Sequence, residues 1–335
     1  MDEPRRPPTA AALPRTLYLE TTNRCDSKCQ TCIRTFATLE PPGDLTLARA
    51  ARIVDQFPEL DRVVLHGIGE PLLNRELFAI IEYVKARGAT VLFNSDAITL
   101  TPARAARLIE SGLDEYRVSM DAASREMYRV VRGVDRFDRV VDNVGALVAL
   151  QRRLGRETPR VSLWFTAMRI NLPELPAFVR LAARMGIAEA YVQRMVFHGQ
   201  GLAVQEQSLH RALQEREERL IREADALGQT LGIVVRASGL RAPLDSLNGT
   251  ELAPRPWAGC QRPWTLSYVT ANGHVLPCCI SPWTATDYDG AVLGNAFSDD
   301  FASIWNGERY QRFREAFESE TAPDPCRGCG LLWSI

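Results

Sequence analysis

From residue 17 to residue 237, short apolar runs alternate with amphipathic segments. The runs are typical of strands, whereas the segments repeat their apolar positions every three or four residues, as helices do. The predicted strands cover residues 17–20, 62–67, 90–94, 116–120, 161–167 and 190–194, with 233–236 closing or extending the sheet, and the predicted helices include 46–57, 77–87 and 102–111. This alternation predicts an α/β fold with parallel strands, a partial (β/α)6 TIM-like barrel, because six repeats are too few for a full barrel.

After residue 237 the pattern changes to shorter elements. Asn272-Gly273 stands between the strand-like runs 264–270 and 274–278, and this dipeptide is a strong hairpin signal. Residues 301–317 have the pattern of one helix. We therefore predict a flexible N-terminus over 1–15, the partial barrel over 16–237 and a small cysteine-rich α+β domain over 238–335.

Charge and hydropathy limit the range of partners. The 40 Lys and Arg against 41 Asp and Glu give a net charge of −1, so no basic field for nucleic acid is expected. No run of about 18 apolar residues occurs, and the first residues lack the apolar core of a signal peptide. We expect a cytoplasmic protein with neither nucleic acid nor a membrane as partner.

The eight cysteines fall into two groups, and in a reducing compartment they indicate metal ligands before disulfides. Cys25, Cys29 and Cys32 form a CxxxCxxC pattern in the loop after the first predicted strand. Iron–sulfur clusters are normally held by four thiolates, so three at this spacing indicate a four-iron cluster with one iron open to an exogenous ligand. The alternative is structural zinc, which binds four ligands, and no fourth lies within local reach.

Glycines and polar residues stand where the predicted strands end, the edge at which such folds gather functional groups. Gly67 and Gly69 permit close backbone approach to a ligand, and Glu70, before Pro71, offers a carboxylate to an ammonium group. The other candidates are Asn94, Ser119 and Asp121 for ribose hydroxyls, Arg132 for a carboxylate, and Tyr191, Gln193, Trp164 and Thr166 for an adenine or the substrate. For Arg132, an ion pair with a carboxylate on a helix is the alternative.

The cysteine loop, the 67–71 segment and the strand end at 119–121 match, in order and spacing, the radical S-adenosylmethionine superfamily, which residues 16–237 therefore resemble. The resemblance implies a [4Fe-4S] cluster whose open iron is chelated by the amine and carboxylate of S-adenosylmethionine. It also implies reductive cleavage of that cofactor to a 5′-deoxyadenosyl radical, which abstracts a hydrogen atom. One departure is Thr31, which stands where the family usually has an aromatic residue before the third cysteine.

The second cysteine group resembles the shorter SPASM/twitch extension of such enzymes, which holds one auxiliary [4Fe-4S] cluster. The predicted hairpin brings Cys260 and Cys278 together, and Cys326 and Cys329 provide two further thiolates. A zinc ribbon is the alternative, since CxxC pairs beside a hairpin suit zinc as well. We predict Cys278 as the ligand, but adjacent residues on a strand point to opposite faces, and Cys279 could exchange roles with it.

These features lead to an enzymatic hypothesis and two alternatives. The first is an oxidoreductase that abstracts hydrogen from a small polar metabolite, a sugar or aminocyclitol, with the auxiliary cluster accepting an electron. The second is a maturase of a ribosomally made peptide, although relatives of that kind often carry a leader-binding domain and only about fifteen residues precede the first strand. The third is a non-catalytic iron–sulfur carrier. For the enzymes we expect a reductant such as flavodoxin or ferredoxin as partner.

Overall fold

The computed structural model describes residues 6–239, 241–248, 255–327 and 329. Within them the backbone forms one ten-stranded sheet. Its strands are β1 (Thr16–Leu19), β2 (Arg62–Val64), β3 (Thr90–Ser95), β4 (Glu115–Ser119), β5 (Arg160–Thr166), β6 (Glu189–Gln193), β7 (Val234–Ala237), β8 (Leu266–Val269), β9 (His274–Leu276) and β10 (Gly294–Asn295). Their order across the sheet is β10-β9-β8-β1-β2-β3-β4-β5-β6-β7.

Helices follow most strands and cover the sheet. They are α1 (Leu47–Val54), α2 (Leu77–Lys85), α3 (Pro102–Glu110), α4 (Arg125–Arg132), α5 (Phe137–Leu154), α6 (Leu175–Met185), α7 (Glu215–Leu231), α8 (Pro243–Asn248), α9 (Arg262–Thr265), α10 (Ser281–Thr284), α11 (Tyr288–Ala291), α12 (Phe301–Trp305), α13 (Glu308–Phe317) and α14 (Asp324–Arg327). Short 3-10 turns occupy Ile33–Thr35, Pro71–Leu73, Leu172–Glu174, Gln205–Gln207 and Pro256–Gly259.

The sheet from β1 to β7 is parallel throughout, as the alternating pattern predicts. Each predicted strand is present within one to three residues of its expected bounds, and 234–237 extends the sheet beyond β6. The partial-barrel α/β class is confirmed. Because all these strands run the same way, their carboxyl ends lie at one edge of the sheet, where the candidate ligands are collected.

The C-terminal hairpin joins this same sheet. β8 and β9 pair antiparallel around Gly273, whose φ is +87°, which confirms the hairpin. β8 also pairs with β1 in parallel over four residues, Leu17 opposite Ser267 among them. The sequence does not predict this pairing, because nothing local to either strand specifies the partner. The domain boundary at 237/238 stays a prediction, but the main sheet crosses it.

The single helix predicted over 301–317 is wrong, because the structure has two. α12 ends at Trp305, and α13 begins at Glu308 with Gly307 as its N-cap in an extended conformation. A Cβ on Gly307 would lie 2.6 Å from the Ser303 carbonyl oxygen, so a glycine permits the tight turn. The break buries Trp305 and Tyr310 against each other, with ring centroids 4.6 Å apart.

The N-terminal segment packs against the C-terminal region. Arg6 donates to the carbonyl oxygens of Ala258 and Cys260, and its guanidinium lies 4.0 Å from the Trp264 ring centroid. Arg314, fully buried, donates to the carbonyl oxygen of Pro8. Residues 6–15 are therefore held in place, unlike the flexible terminus that we predict, and residues 1–5 lie outside the described part. No helix in that part is long and apolar enough to cross a bilayer.

Candidate active site

The loop after β1 carries the three N-terminal cysteines and is folded by its own polar groups. Arg34 donates to the carbonyl oxygens of Cys25 and Ser27, and the Thr35 hydroxyl donates to the carbonyl oxygen of Cys29. The backbone of the loop is also tied to the end of α4, since the amides of Lys28 and Gln30 donate to the carbonyls of Arg132 and Val131. The loop thus holds its thiols over the carboxyl edge of the sheet.

A cavity of about 430 Å³ lies beneath this loop. Cys25, Cys29 and Cys32 line it on one side. Of the residues that the sequence predicts as cofactor ligands, the structure brings seven to its wall: Gly67, Gly69, Glu70, Asn94, Ser119, Arg132 and Gln193. Pro71 and Asp121 are not among the lining residues, although both are buried. The ligand roles themselves stay predictions.

The donor set fits a metal cluster. Burial raises the pKa of all three thiols, that of Cys29 to about 12, so a metal is needed to hold them as thiolates near neutral pH. Carboxylates lie near one of these sulfurs: Asp96 Oδ2 is 3.9 Å from Cys25 Sγ, and an Asp26 oxygen lies within 4.8 Å of that sulfur. Three thiolates facing a cavity therefore suit a cluster with one open iron better than a closed tetrahedral zinc site.

The 67–69 segment fits a close-approaching ligand, because its glycines are packed tightly from behind. A Cβ on Gly69 would lie 2.1 Å from the Thr22 carbonyl oxygen, and one on Gly67 would lie 2.1 Å from the Glu20 carboxylate. Asn94 Oδ1 is buried at the cavity and has no hydrogen-bond donor within the described residues. Such an acceptor is suited to a hydroxyl or amine of a bound ligand.

Glu70 is held by hydrogen bonds within the protein. Its carboxylate accepts from the amides of Leu72 (3.0 Å) and Asp96 (2.7 Å) and from the Ser95 hydroxyl (2.8 Å). Burial, followed by the nearby Asp96 carboxylate, raises the pKa of Glu70 well above its ordinary value. The side chain therefore fastens the 67–71 segment to the end of β3, and because it also lines the cavity, its role toward an ammonium group stays a prediction.

Asp121 and Arg132 form a buried ion pair. Arg132 Nη1 lies 3.0 Å from Asp121 Oδ2, and the side chains are 9% and 4% exposed. Asp121 Oδ1 accepts from the Thr166 amide at 2.7 Å. The ribose role predicted for Asp121 is thus not supported, because its carboxylate is turned to these donors. Arg132 keeps Nε without a partner among the described residues and still lines the cavity.

We predict that Asp121→Asn lowers the free energy of unfolding by about 3 kcal/mol, since it leaves the Arg132 charge buried without a counterion. Urea unfolding of the protein under anaerobic conditions measures the change. The control is Glu82→Gln, which breaks the exposed pair with Arg107 and should cost less than about 1 kcal/mol. Equal costs for the two variants would contradict the structural role of the buried pair.

The sequence missed several cavity residues. Asp96 lines the wall, accepts from the Ser27 hydroxyl at 2.6 Å and stands directly after β3, a position that could have indicated it. Arg117 was also missed; its guanidinium lies over Trp164, which stacks on Tyr191 with ring centroids 4.0 Å apart, and these two aromatic residues are among the predicted candidates. The C-terminal region contributes Arg262, Tyr268, Cys279 and Trp283, which no local signal assigns to this site.

A second group of thiols lies near the hairpin. The thiols of Cys278, Cys329 and Cys260 are close enough to Cys326 to raise its pKa further, after burial as the main cause. The Thr284 hydroxyl donates to the carbonyl oxygen of Pro325, which joins α10 to α14. Cys279 instead lines the first cavity. The structure thus brings together the four predicted ligands, with Cys278 in the group, while their ligand roles stay predictions.

Two family models match the chain in these same regions. The model of the radical SAM superfamily matches residues 19–155, and an iron–sulfur cluster-binding domain, SPASM, matches residues 260–330. The first includes the CxxxCxxC loop and the strand ends β2 to β4. The second includes Cys260, Cys278, Cys279, Cys326 and Cys329.

Similar proteins span most of the chain. The mycofactocin maturase MftC of Mycolicibacterium smegmatis is 27% identical over 321 residues, 95% of this chain and 76% of that protein. An AdoMet-dependent heme synthase of Nitratidesulfovibrio vulgaris is 24% identical over 92% of this chain and 83% of its own length. SuiB of Streptococcus suis, solved with S-adenosylmethionine, has a TM-score of 0.72 at 17% identity, over 97% of this chain and 72% of SuiB.

The matched models imply a [4Fe-4S] cluster with S-adenosylmethionine in the first region and an auxiliary iron–sulfur site in the second. The cavity with three thiols, the glycine segment and the second thiol group are the places in this structure that such groups fit. Residues 19–155 therefore form a radical SAM domain, and residues 260–330 form a SPASM domain.

Proposed function

We propose that this protein is a radical SAM/SPASM maturase that modifies a ribosomally made peptide. The observation that carries the proposal is the similarity to the mycofactocin maturase over 95% of the chain. SuiB, which shares the fold, has been solved with its precursor peptide SuiA. These similarities favour the peptide hypothesis over the small polar metabolite that the sequence places first.

The cavity offers a surface for a substrate side chain opposite the cluster loop. Trp164, Tyr191 and Gln193 remain partly exposed there, and the Trp164–Tyr191 stack presents flat faces with an interplanar angle of 21°. Aromatic rings and planar amide groups pack well on such faces. The neighbouring Arg117 guanidinium, 4.7 Å from the Trp164 ring centroid, adds positive charge to this wall.

When bound, the cluster and S-adenosylmethionine supply a 5′-deoxyadenosyl radical, which takes a hydrogen atom from an unactivated C–H bond. The chain's own part is to orient the substrate on the Trp164–Tyr191 wall and to keep the cysteine loop in place over it. An external donor such as flavodoxin or ferredoxin would supply the electron that cleaves S-adenosylmethionine. An auxiliary cluster held by Cys260, Cys278, Cys326 and Cys329 would supply an acceptor for one electron from the substrate, whose proton would pass to a base or to water.

An anaerobic assay tests the proposal. Protein reconstituted with iron and sulfide is incubated with S-adenosylmethionine and dithionite, together with synthetic peptides from short reading frames beside its gene. We expect one peptide to raise 5′-deoxyadenosine formation above the uncoupled rate and to change in mass, while its scrambled sequence does neither. A panel of sugars and aminocyclitols is run in parallel. Stimulation and turnover by a member of that panel, with every peptide inert, would reverse the assignment.

A further inference from the structure

Glu20 is a buried carboxylate directly after β1 to which none of the roles above assigns a function. Its side chain is 2% exposed, and its backbone amide continues the pairing of β1 with β8 by donating to the Val269 carbonyl oxygen at 2.9 Å. Burial raises the pKa of Glu20 to about 7, although three hydrogen bonds to its carboxylate act in the other direction. Burial of a carboxylate costs free energy, so we looked for the interactions that Glu20 makes in return.

The three hydrogen bonds come from three separate segments. The Ile68 amide donates to Oε1 at 2.7 Å from the glycine segment after β2. The Tyr268 hydroxyl donates to the same oxygen at 3.0 Å from β8, and the Ala271 amide donates to Oε2 at 3.0 Å from the β8–β9 turn. The Glu20 side chain thus joins β1, the 67–69 segment and the β8–β9 hairpin.

The fit around this carboxylate is tight. A Cβ on Gly67 would lie 2.1 Å from both Glu20 Oε1 and the Tyr268 hydroxyl oxygen, so that the glycine backbone rests directly on the two groups. Glu20 itself is not among the residues that line the cavity, whereas Gly67, Ile68 and Tyr268 are. A change at Glu20 therefore reaches a bound ligand indirectly, through the 67–69 segment or through Tyr268.

We propose that Glu20 is a positioning residue that couples the placement of the 67–69 segment, and with it the affinity for S-adenosylmethionine, to the β8–β9 hairpin of the SPASM domain. This inference rests on the proposal that the segment binds the cofactor. Because binding couplings are reciprocal, the cofactor stabilises the hairpin by the same factor by which the docked hairpin strengthens cofactor binding.

The chain offers a matched control in Glu40, which holds the same hairpin from the other side. Its carboxylate accepts from His274 Nδ1 at 2.7 Å, from the Tyr288 hydroxyl at 2.6 Å and from Asn272 Nδ2 at 2.9 Å. Among the described residues its hydrogen-bond partners are these three, and none belongs to the 67–69 segment. We expect Glu40→Gln to loosen the β8–β9 hairpin as Glu20→Gln does, but to leave the hydrogen bonds of the 67–69 segment in place.

The experiment uses full-length protein with both iron–sulfur sites reconstituted and measures two quantities. The first is the Kd for S-adenosylmethionine, from the change that the cofactor causes in the electron paramagnetic resonance spectrum of the reduced protein. The second is amide hydrogen exchange over residues 66–70 and over the hairpin. We expect Glu20→Gln to raise Kd roughly 5- to 150-fold and to speed exchange at 66–70. Glu40→Gln should change Kd within about twofold while it speeds exchange in the hairpin alone.

A second pair of variants covers the case in which Glu20→Gln fails to fold. Tyr268→Phe removes one donor from Glu20, and Tyr288→Phe removes one from Glu40; only the first should weaken cofactor binding. Equal effects within either pair, or an unchanged Kd for the Glu20 and Tyr268 variants, would overturn the coupling. A wild-type spectrum that does not respond to S-adenosylmethionine would instead overturn the cofactor site itself, so the two failures are distinguishable.

Discussion

Replacement of Cys29 by alanine should abolish 5′-deoxyadenosine formation, reducing it to the level seen without protein. Cys29 is the middle thiol of the cluster loop, is 9% exposed and faces the cavity. With two thiolates left in the loop, the cluster at this site loses a third of its predicted protein ligands. Iron should fall from about eight to about four atoms per chain.

The control for this variant is Cys279→Ala. Cys279 lines the same cavity and is equally buried, yet it stands outside both predicted ligand sets. It should keep about eight iron atoms per chain and retain uncoupled cofactor cleavage. Iron and sulfide analysis with chromatographic detection of deoxyadenosine measures both variants. Cofactor cleavage by the Cys29 variant would contradict the ligand assignment.

The parts of the site that follow from the sequence are those fixed by short-range spacing. The three cysteines lie within eight residues of one another in the loop after one strand, and the glycines of 67–69 lie in the loop after the next. Locating the strands in the sequence is therefore enough to predict that both groups lie at one edge of the sheet. Asn94, Ser119 and Gln193 follow by the same rule, since each belongs to the carboxyl end of a parallel strand.

The parts that do not follow depend on pairings between distant residues. The Asp121 carboxylate could accept hydrogen bonds from a ribose. In the structure it pairs with Arg132 instead, and the backbone of Asp121 is left-handed, with φ of +60°. The Glu70 carboxylate similarly accepts hydrogen bonds from the Ser95 hydroxyl and the Asp96 amide. Residue type alone does not show whether a carboxylate will face a ligand or satisfy protein donors, because both uses need the same acceptor oxygens.

The pairing of β8 with β1 has the widest consequence for the site. It brings Tyr268, Arg262 and Cys279 to the cavity from more than two hundred residues away along the chain. Because the two regions share a cavity wall, a change in the SPASM domain reaches the first site through side-chain contacts. Arg262 and Cys279 line the first cavity and also lie near the second thiol group. Burial lowers the pKa of Arg262, but the Cys279, Cys278 and Cys260 thiols raise it above its ordinary value.

Simultaneous replacement of Cys326 and Cys329 by alanine should separate the two sites. Both thiols lie in the last described turn, where Cys329 donates its amide to the Cys326 carbonyl oxygen at 3.3 Å. Their removal leaves Cys260 and Cys278 alone, which is too few ligands for a four-iron cluster. We expect about four iron atoms per chain, continued uncoupled cleavage of S-adenosylmethionine, and loss of substrate conversion to background.

The expected result follows from where these thiols lie. Neither cysteine lines the first cavity, and hydrogen bonds from Arg34, Thr35 and the end of α4 hold the cysteine loop. Cys279→Ser serves as the control, because it changes a cysteine beside the hairpin without removing a predicted ligand. If the double variant keeps the iron content of the wild type, the second thiol group holds no iron cluster. If zinc is found there in stoichiometric amount, the zinc-ribbon alternative takes its place.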